Sequence, residues 1–160
     1  MTIQRTMIGW REWCALPELG IPAIQAKVDT GAATSSLHAI DIIPFELDGR
    51  EWVSFVVHPI QGNKKFSVAC TAPLLGQKNI ISSNGAKERR YVIQTQLMIG
   101  TIAIDAAITL TSRHKMQFRM LLGREAIRKA KCIVYPGKSY MTGKLDDVRA
   151  LYSLPPLKGL

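Results

Sequence analysis

The residues best placed to do chemistry are Asp29, Thr30 and Gly31, which follow the run Ala26-Lys27-Val28. Ala23–Val28 alternates apolar and polar positions, the signature of a half-buried strand. A strand that runs into Asp-Thr-Gly carries a carboxylate onto a turn. The plain reading is an Asx-turn, in which Asp accepts backbone hydrogen bonds and Gly supplies an unusual φ. The flanks are apolar on both sides, however, and a carboxylate in such surroundings is costly unless it is hydrogen-bonded. A second element of interest lies far downstream at Met120-Leu121-Leu122-Gly123-Arg124-Glu125-Ala126-Ile127: an apolar strand, a Gly-Arg turn, then a helix. The three histidines, His38, His58 and His114, are scattered, and no His-Glu-x-x-His string occurs. No Cys or His pair has metal spacing, and no phosphate-cradling Gly-x-x-x-x-Gly-Lys-Ser/Thr is present, so neither metal nor nucleotide chemistry is expected.

The elements that must position Asp29 read mostly as short strands. Ile8–Leu16 alternates weakly and stops at Pro17, and Glu18–Pro22 is a turn by its Gly and Pro. Phe45–Leu47 and Trp52–Val57 flank Asp48-Gly49, a strong hairpin signal because tight hairpin turns need positive φ. Phe66–Cys70 alternates again. Tyr91–Ile99 and Thr101–Leu110 are β-rich runs broken by Gly100 and read as a second hairpin. Only Gly123–Lys131 has helical spacing, with Ala126, Ile127 and Ala130 on one side. The end of the chain, with Pro155-Pro156 and Gly159, reads as extended or loose. Many short strands with one late helix predict a small closed barrel or a sandwich.

Taken in order, Gly9-Trp10-Arg11-Glu12 with Leu16-Pro17, Ala26–Ala32 with Ser36–Ala39, Ser82–Gly85 with Arg90, and Arg113 with Met116 and Met120–Arg124 form a specific set. This set resembles the bacterial family of retropepsin-like proteins named as ATP-dependent zinc proteases and associated with RimK-type glutamate ligases. Those ligases append glutamates to a ribosomal protein. The likeness covers roughly residues 8–142. Ala33 departs from the family pattern, where a basic residue is expected. The resemblance implies a mainly β fold, a small closed barrel of retropepsin type over residues 1–145 with one short C-terminal helix, and an extension or tail over 146–160. It implies an aspartic peptidase acting on acidic or polyglutamate chains, with Asp29, Thr30 and Gly31 catalytic. The sequence supports neither the zinc nor the ATP of the family name, and no cofactor is expected.

An aspartic peptidase needs two carboxylates sharing one proton, one to activate water and one to hydrogen-bond the scissile carbonyl. Asp41, Asp48, Asp105, Asp146 and Asp147 lack the Asp-Thr-Gly context, so a complete site implies a homodimer with Asp29 from each subunit. In it Thr30 would brace the two loops and Gly31 would bring backbone N–H groups near substrate. Lys78–Arg90 reads as a hairpin flap over the cleft, its turn formed by Ser82, Ser83, Asn84 and Gly85. Candidate substrate contacts are Lys27, His38, Ser83, Asn84, Gly85, Arg90, Arg113 and Lys115. Gly123 and Arg124 are expected to support the site, Arg124 as a structural ion-pair partner beside the Gly turn.

Charge and composition frame this reading. The chain has 160 residues and a net charge of +9, 47% of its residues are hydrophobic, and 21% are charged. This is an ordinary globular balance, which excludes a disordered tail and a disulfide miniprotein. Residues 1–110 carry ten basic and nine acidic side chains, whereas 111–160 carry eleven and three. Such asymmetry points to an anionic partner. An acidic peptide or polyglutamate-tailed protein fits best, with ribosomal-protein association as the resemblance implies. Aromatics are only 7% of the chain, so nucleic acid, which needs stacking rings, ranks last. A catalytically silent dimeric module binding acidic protein tails is the alternative to a peptidase. Met1–Trp10 has no apolar leader core, no run is long enough to span a membrane, and three distant cysteines form no disulfide framework. A cytoplasmic location without membrane contact is therefore expected.

Overall fold

The structure, a computed structural model, describes residues 4–81, 84–112 and 117–155. Eleven strands carry most of the fold: β1 Thr6–Ile8, β2 Arg11–Leu16, β3 Ile21–Val28, β4 Ser35–His38, β5 Ile40–Leu47, β6 Arg50–Val57, β7 Val68–Ile81, β8 Lys87–Ile99, β9 Ile102–Thr111, β10 Met120–Leu122 and β11 Cys132–Val134. The helices are α1 Arg124–Lys129 and a single turn, α2 Val148–Leu151.

Six strands close on themselves in the order β2-β3-β10-β4-β9-β8, and the ring is completed where Cys14 and Ala15 of β2 pair with Ile99 and Met98 of β8. The expected small closed barrel is what the chain forms. Its interior comes from alternation: β2 buries Glu12, Cys14 and Leu16 and half-exposes Arg11, Trp13 and Ala15. Leu16, Ile24, Leu37, Leu97, Ile108, Met120 and Leu122 are fully or almost fully buried. Strand β4 is buried along its whole length, since β10 and β9 flank it on either side. A short parallel pair, β1 with β11, lies beside the barrel.

Three strands extend the sheet off the barrel. β7 pairs with β6 up to Pro73 and then switches to β8 from Leu74 onward. Proline is tolerated there because its missing N–H falls where the strand leaves one partner for the next. The second half of β7 and the first half of β8 form a long hairpin, the predicted flap, with Gly85 at φ 82° in its turn. The Asp48-Gly49 hairpin joins β5 and β6 as expected, both turn residues having positive φ. The hairpin around Gly100 also forms, between β8 and β9.

The expected turn at Glu18–Pro22 forms as a 3-10 turn over Pro17–Leu19 closed by Gly20, with Ile21 and Pro22 already in β3. One expectation is corrected. The helix over Gly123–Lys131 is not alone, since α2 follows it, and Pro156 and Gly159 of the expected loose end lie outside the described residues. Asp147 caps α2 by accepting from the Ala150 N–H, and Tyr152 donates its hydroxyl to the Ala23 carbonyl at 2.5 Å while its ring meets Phe66 edge-on. The buried Glu12 ties down the segment before it, accepting from the N–H groups of Gly9, Met141 and Thr142 and from the Thr142 hydroxyl.

Candidate active site

The Asp29 loop is built by threading β10 between β3 and β4. β10 runs parallel to β3, with Leu122 opposite Val28, and antiparallel to β4, with Leu121 opposite Ser36. Three main-chain bonds continue the weave past the strand ends. Asp29 N–H donates to the Leu122 carbonyl (2.9 Å), and the N–H groups of Arg124 and Glu125 donate to the carbonyls of Ala32 (2.8 Å) and Ala33 (3.0 Å). The Ser35 hydroxyl accepts from Gly123 N–H at 2.9 Å. Gly123 is required by closeness rather than by φ: a Cβ there would lie 2.5 Å from the Thr34 carbonyl carbon and 2.7 Å from Ser35 N.

Within the loop, Asp29 Oδ1 accepts the Gly31 N–H at 3.1 Å, the Asx-turn that the residue types suggested. Its other oxygen has no protein donor within hydrogen-bond distance among the described residues, and the side chain is half-buried, so the carboxylate faces the cleft it lines. Arg124 does not form the expected ion pair. Its guanidinium donates to the Thr30 carbonyl at 2.9 Å, and no described carboxylate lies within ion-pair reach. The side chain is half-exposed rather than buried, so water completes its solvation and no carboxylate is needed.

A cleft of about 720 Å³ opens above the loop. Its floor includes Asp29, Gly31 and Ser36, and its roof is the β7–β8 hairpin with Lys78, Ile80 and Arg90. Lys78 Nζ donates to the Thr34 hydroxyl at 2.7 Å, the direct contact from roof to floor. Arg90 is buried and occupied within the protein, by Glu88 at 2.9 Å and by the Thr109 hydroxyl at 3.5 Å. Thr109 in turn reaches the Ser35 carbonyl at 3.3 Å. Asp29 is the one acid among the described residues lining this cleft.

Of the predicted residues, Asp29, Gly31 and Arg90 meet in the cleft, and Gly123 and Arg124 brace it from behind. Thr30 is exposed at the tip of the loop. Lys27 is exposed on β3 and does not line the cleft; nor do Asn84 and Gly85, at the end of the hairpin. His38 is buried on β4 and lines a neighbouring cavity. Ser83, Arg113 and Lys115 lie outside the described residues. Sequence reasoning missed Lys78 and Ser35. Counting outward from the Asn84-Gly85 turn puts Lys78 opposite Arg90, so the first was within reach. Ser35 carries no sequence signal, because its partner Gly123 is 88 positions away.

No group of three or more His, Cys, Asp or Glu among the described residues is placed to hold a metal ion. His38 and His58 do share a cavity, but Lys64 and Arg119 line it with them, and two fixed cations oppose a divalent metal. The donor set does not fit zinc.

Residues 7–145 match the family described as RimB-like, retropepsin-like aspartic endopeptidase RimB. Proteins named probable alpha-L-glutamate ligase are similar as well. That of Shewanella halifaxensis is 46% identical over 99% of this chain, and that of Desulfotalea psychrophila is 50% identical over 90%. The chain spans only about a third of the length of these curated relatives (35% and 31%). A crystal structure of a Legionella pneumophila protein of unknown function superposes with a TM-score of 0.71 at 25% identity, covering 87% of this chain and 99% of that one. The chain belongs to the RimB-like family of retropepsin-like aspartic endopeptidases.

Proposed function

We propose that this chain is one half of an aspartic peptidase that cleaves acidic chains, polyglutamate segments above all, such as a glutamate tail on a ribosomal protein in the cytoplasm. The observation that carries the reading is the composition of the cleft: a single carboxylate on a clamped loop, under a roof that carries an ammonium group. One carboxylate cannot both activate water and hydrogen-bond the carbonyl, so the active form is a homodimer with Asp29 from a second copy beside the first. In it the ionised Asp29 takes a proton from water, whose oxygen attacks the scissile carbonyl carbon. The neutral Asp29 hydrogen-bonds the carbonyl oxygen as charge develops there. Collapse of the tetrahedral species breaks the C–N bond, and the leaving amine takes up the proton.

The roof supports the acidic substrate. Among the described residues Lys78 is tethered only to a neutral hydroxyl, which leaves its charge to meet a substrate carboxylate, whereas Arg90 already faces Glu88. The names of the ligase relatives point to glutamate chains too, as the product that a peptidase of this kind would trim. A second reading, a silent module that holds acidic tails, is favoured by the lone carboxylate of the single chain.

Incubation with poly-L-glutamate followed by mass spectrometry separates the two. Shortened chains that disappear in Asp29→Asn establish the peptidase, whereas intact polymer retained on the protein establishes the binding module. Light scattering tests the shared site: a monomer that still hydrolyses peptide excludes it.

A further inference from the structure

Beside the Asp29 cleft lies a smaller cavity of about 190 Å³, lined by His38, Ile40, His58, Lys64 and Arg119. Four of its five lining residues carry basic side chains and none is acidic. It is also in step with the cleft. On β4, Ser36 lines the cleft and His38, two residues on, lines the cavity. On the antiparallel neighbour, Leu121 lines the cleft and Arg119, two residues back, lines the cavity. The register holds across both, since Leu121 is opposite Ser36 and His38 N–H donates to the Arg119 carbonyl at 2.8 Å. Strand side chains alternate, so these positions share one face, stepped by about 7 Å for two residues. An extended peptide has that same repeat between side chains on one side of its backbone.

β9 repeats the step, with Thr109 opposite Ser36 and Thr111 opposite His38. The Thr111 hydroxyl contacts Glu88 at 3.2 Å, and that carboxylate is paired with Arg90.

We propose that the His38–His58–Lys64–Arg119 cavity is a carboxylate-binding subsite. It takes a glutamate side chain on the same side of an extended chain as the one that meets Lys78 and further along it, since Lys78 stands over Thr34 and His38 lies four residues on. The inference rests on the acidic-chain reading above and adds to it a periodic register: the protein reads alternate carboxylates of a polyglutamate strand.

The test uses the full chain carrying Asp29→Asn, so that binding is read without hydrolysis. Hexa-L-glutamate, hexa-L-glutamine and free L-glutamate are titrated by calorimetry. Arg119→Gln is expected to weaken hexaglutamate binding by about tenfold, the loss of one charge-assisted contact. Lys64→Glu is expected to weaken it by about threefold, as suits an exposed charge; neither variant changes hexaglutamine binding. Lys64 is exposed between β6 and β7, so its variant reports even if Arg119→Gln fails to fold. If hexaglutamate binds in preference to hexaglutamine and both variants leave this unchanged, the subsite is wrong and the acidic-chain reading stands. If hexaglutamate shows no preference, or no binding, both fall. If free L-glutamate binds as tightly as the hexamer and both variants abolish it, the cavity is an independent small-anion site and its continuity with the cleft is overturned.

Discussion

The floor and the roof of the cleft are held in different ways. The floor is woven from main chain: β10 lies between β3 and β4, three further backbone bonds lock the Asp29 loop to the end of β10 and the start of α1, and Gly123 packs closely against the chain at Thr34. The roof is a hairpin whose links to the floor are side-chain contacts, Lys78 to Thr34 and Arg90 through Thr109 to Ser35. Main-chain geometry fixes a carboxylate to within the tolerance that catalysis requires. Side-chain links can be exchanged for contacts with a bound chain. The difference teaches that rigidity is concentrated under the Asp29 carboxylate and charge is concentrated over it.

Breaking the floor should therefore cost stability first. Gly123→Ala forces a Cβ into backbone on the far strand, which cannot move aside, and is expected to destabilise the protein by about 3 kcal/mol in urea unfolding. A loss below about 0.5 kcal/mol would show that the weave can breathe. Ser35→Ala leaves the buried Gly123 N–H without its acceptor, and a loss of about 1–2 kcal/mol is expected in the same measurement.

The roof should behave in the opposite way. Lys78→Met removes an exposed contact, so stability should stay within about 0.5 kcal/mol of the parent. The same change should raise KM for acidic peptides by roughly threefold to tenfold while leaving neutral peptides alone. Equal effects on both peptide classes would mean that Lys78 shapes the cleft rather than reads charge.

The smallest effect is expected from pH, and it should come from the barrel rather than the cleft. Burial pushes the Cys14 and Cys70 thiols and the Tyr152 hydroxyl up to about 12, and raises Cys132 as well. The fold thus holds protons that an unfolded chain releases from about pH 9 for the thiols. Their contribution is intact below pH 9 and is lost as pH rises from there towards 12. Thermal midpoints should be level from pH 7 to 8.5 and fall above pH 9; a level profile to pH 11 would remove these groups from the account.

Much of this was legible because its causes are local. Asp48, Gly49 and Gly85 take positive φ and bend the chain where they sit, and Ala126, Ile127 and Ala130 declare a helix by spacing. Strand β7 was harder. Its alternation is readable only over Phe66–Cys70, because Pro73 and the bulge between Leu74 and Gly76 look like an end to the strand. In the fold they mark its change of partner. The second helix gives no comparable signal: α2 is a single turn, held by its Asp147 cap and by Tyr152 on β3 rather than by helical propensity.

The sequence by itself determined the candidate carboxylate, the turn that presents it, the positions of the hairpins and the net charge of the chain, since each depends on residue type and near neighbours. Tertiary structure alone decided that β2 closes on β8, that a three-residue strand threads between β3 and β4, and that Arg90 is taken up by Glu88 while Lys78 faces the cleft. It also brought His38, His58, Lys64 and Arg119 to one cavity, from three segments: β4, the β6–β7 connection and the residue before β10. Those outcomes depend on pairings between distant segments, which only the packed chain can select.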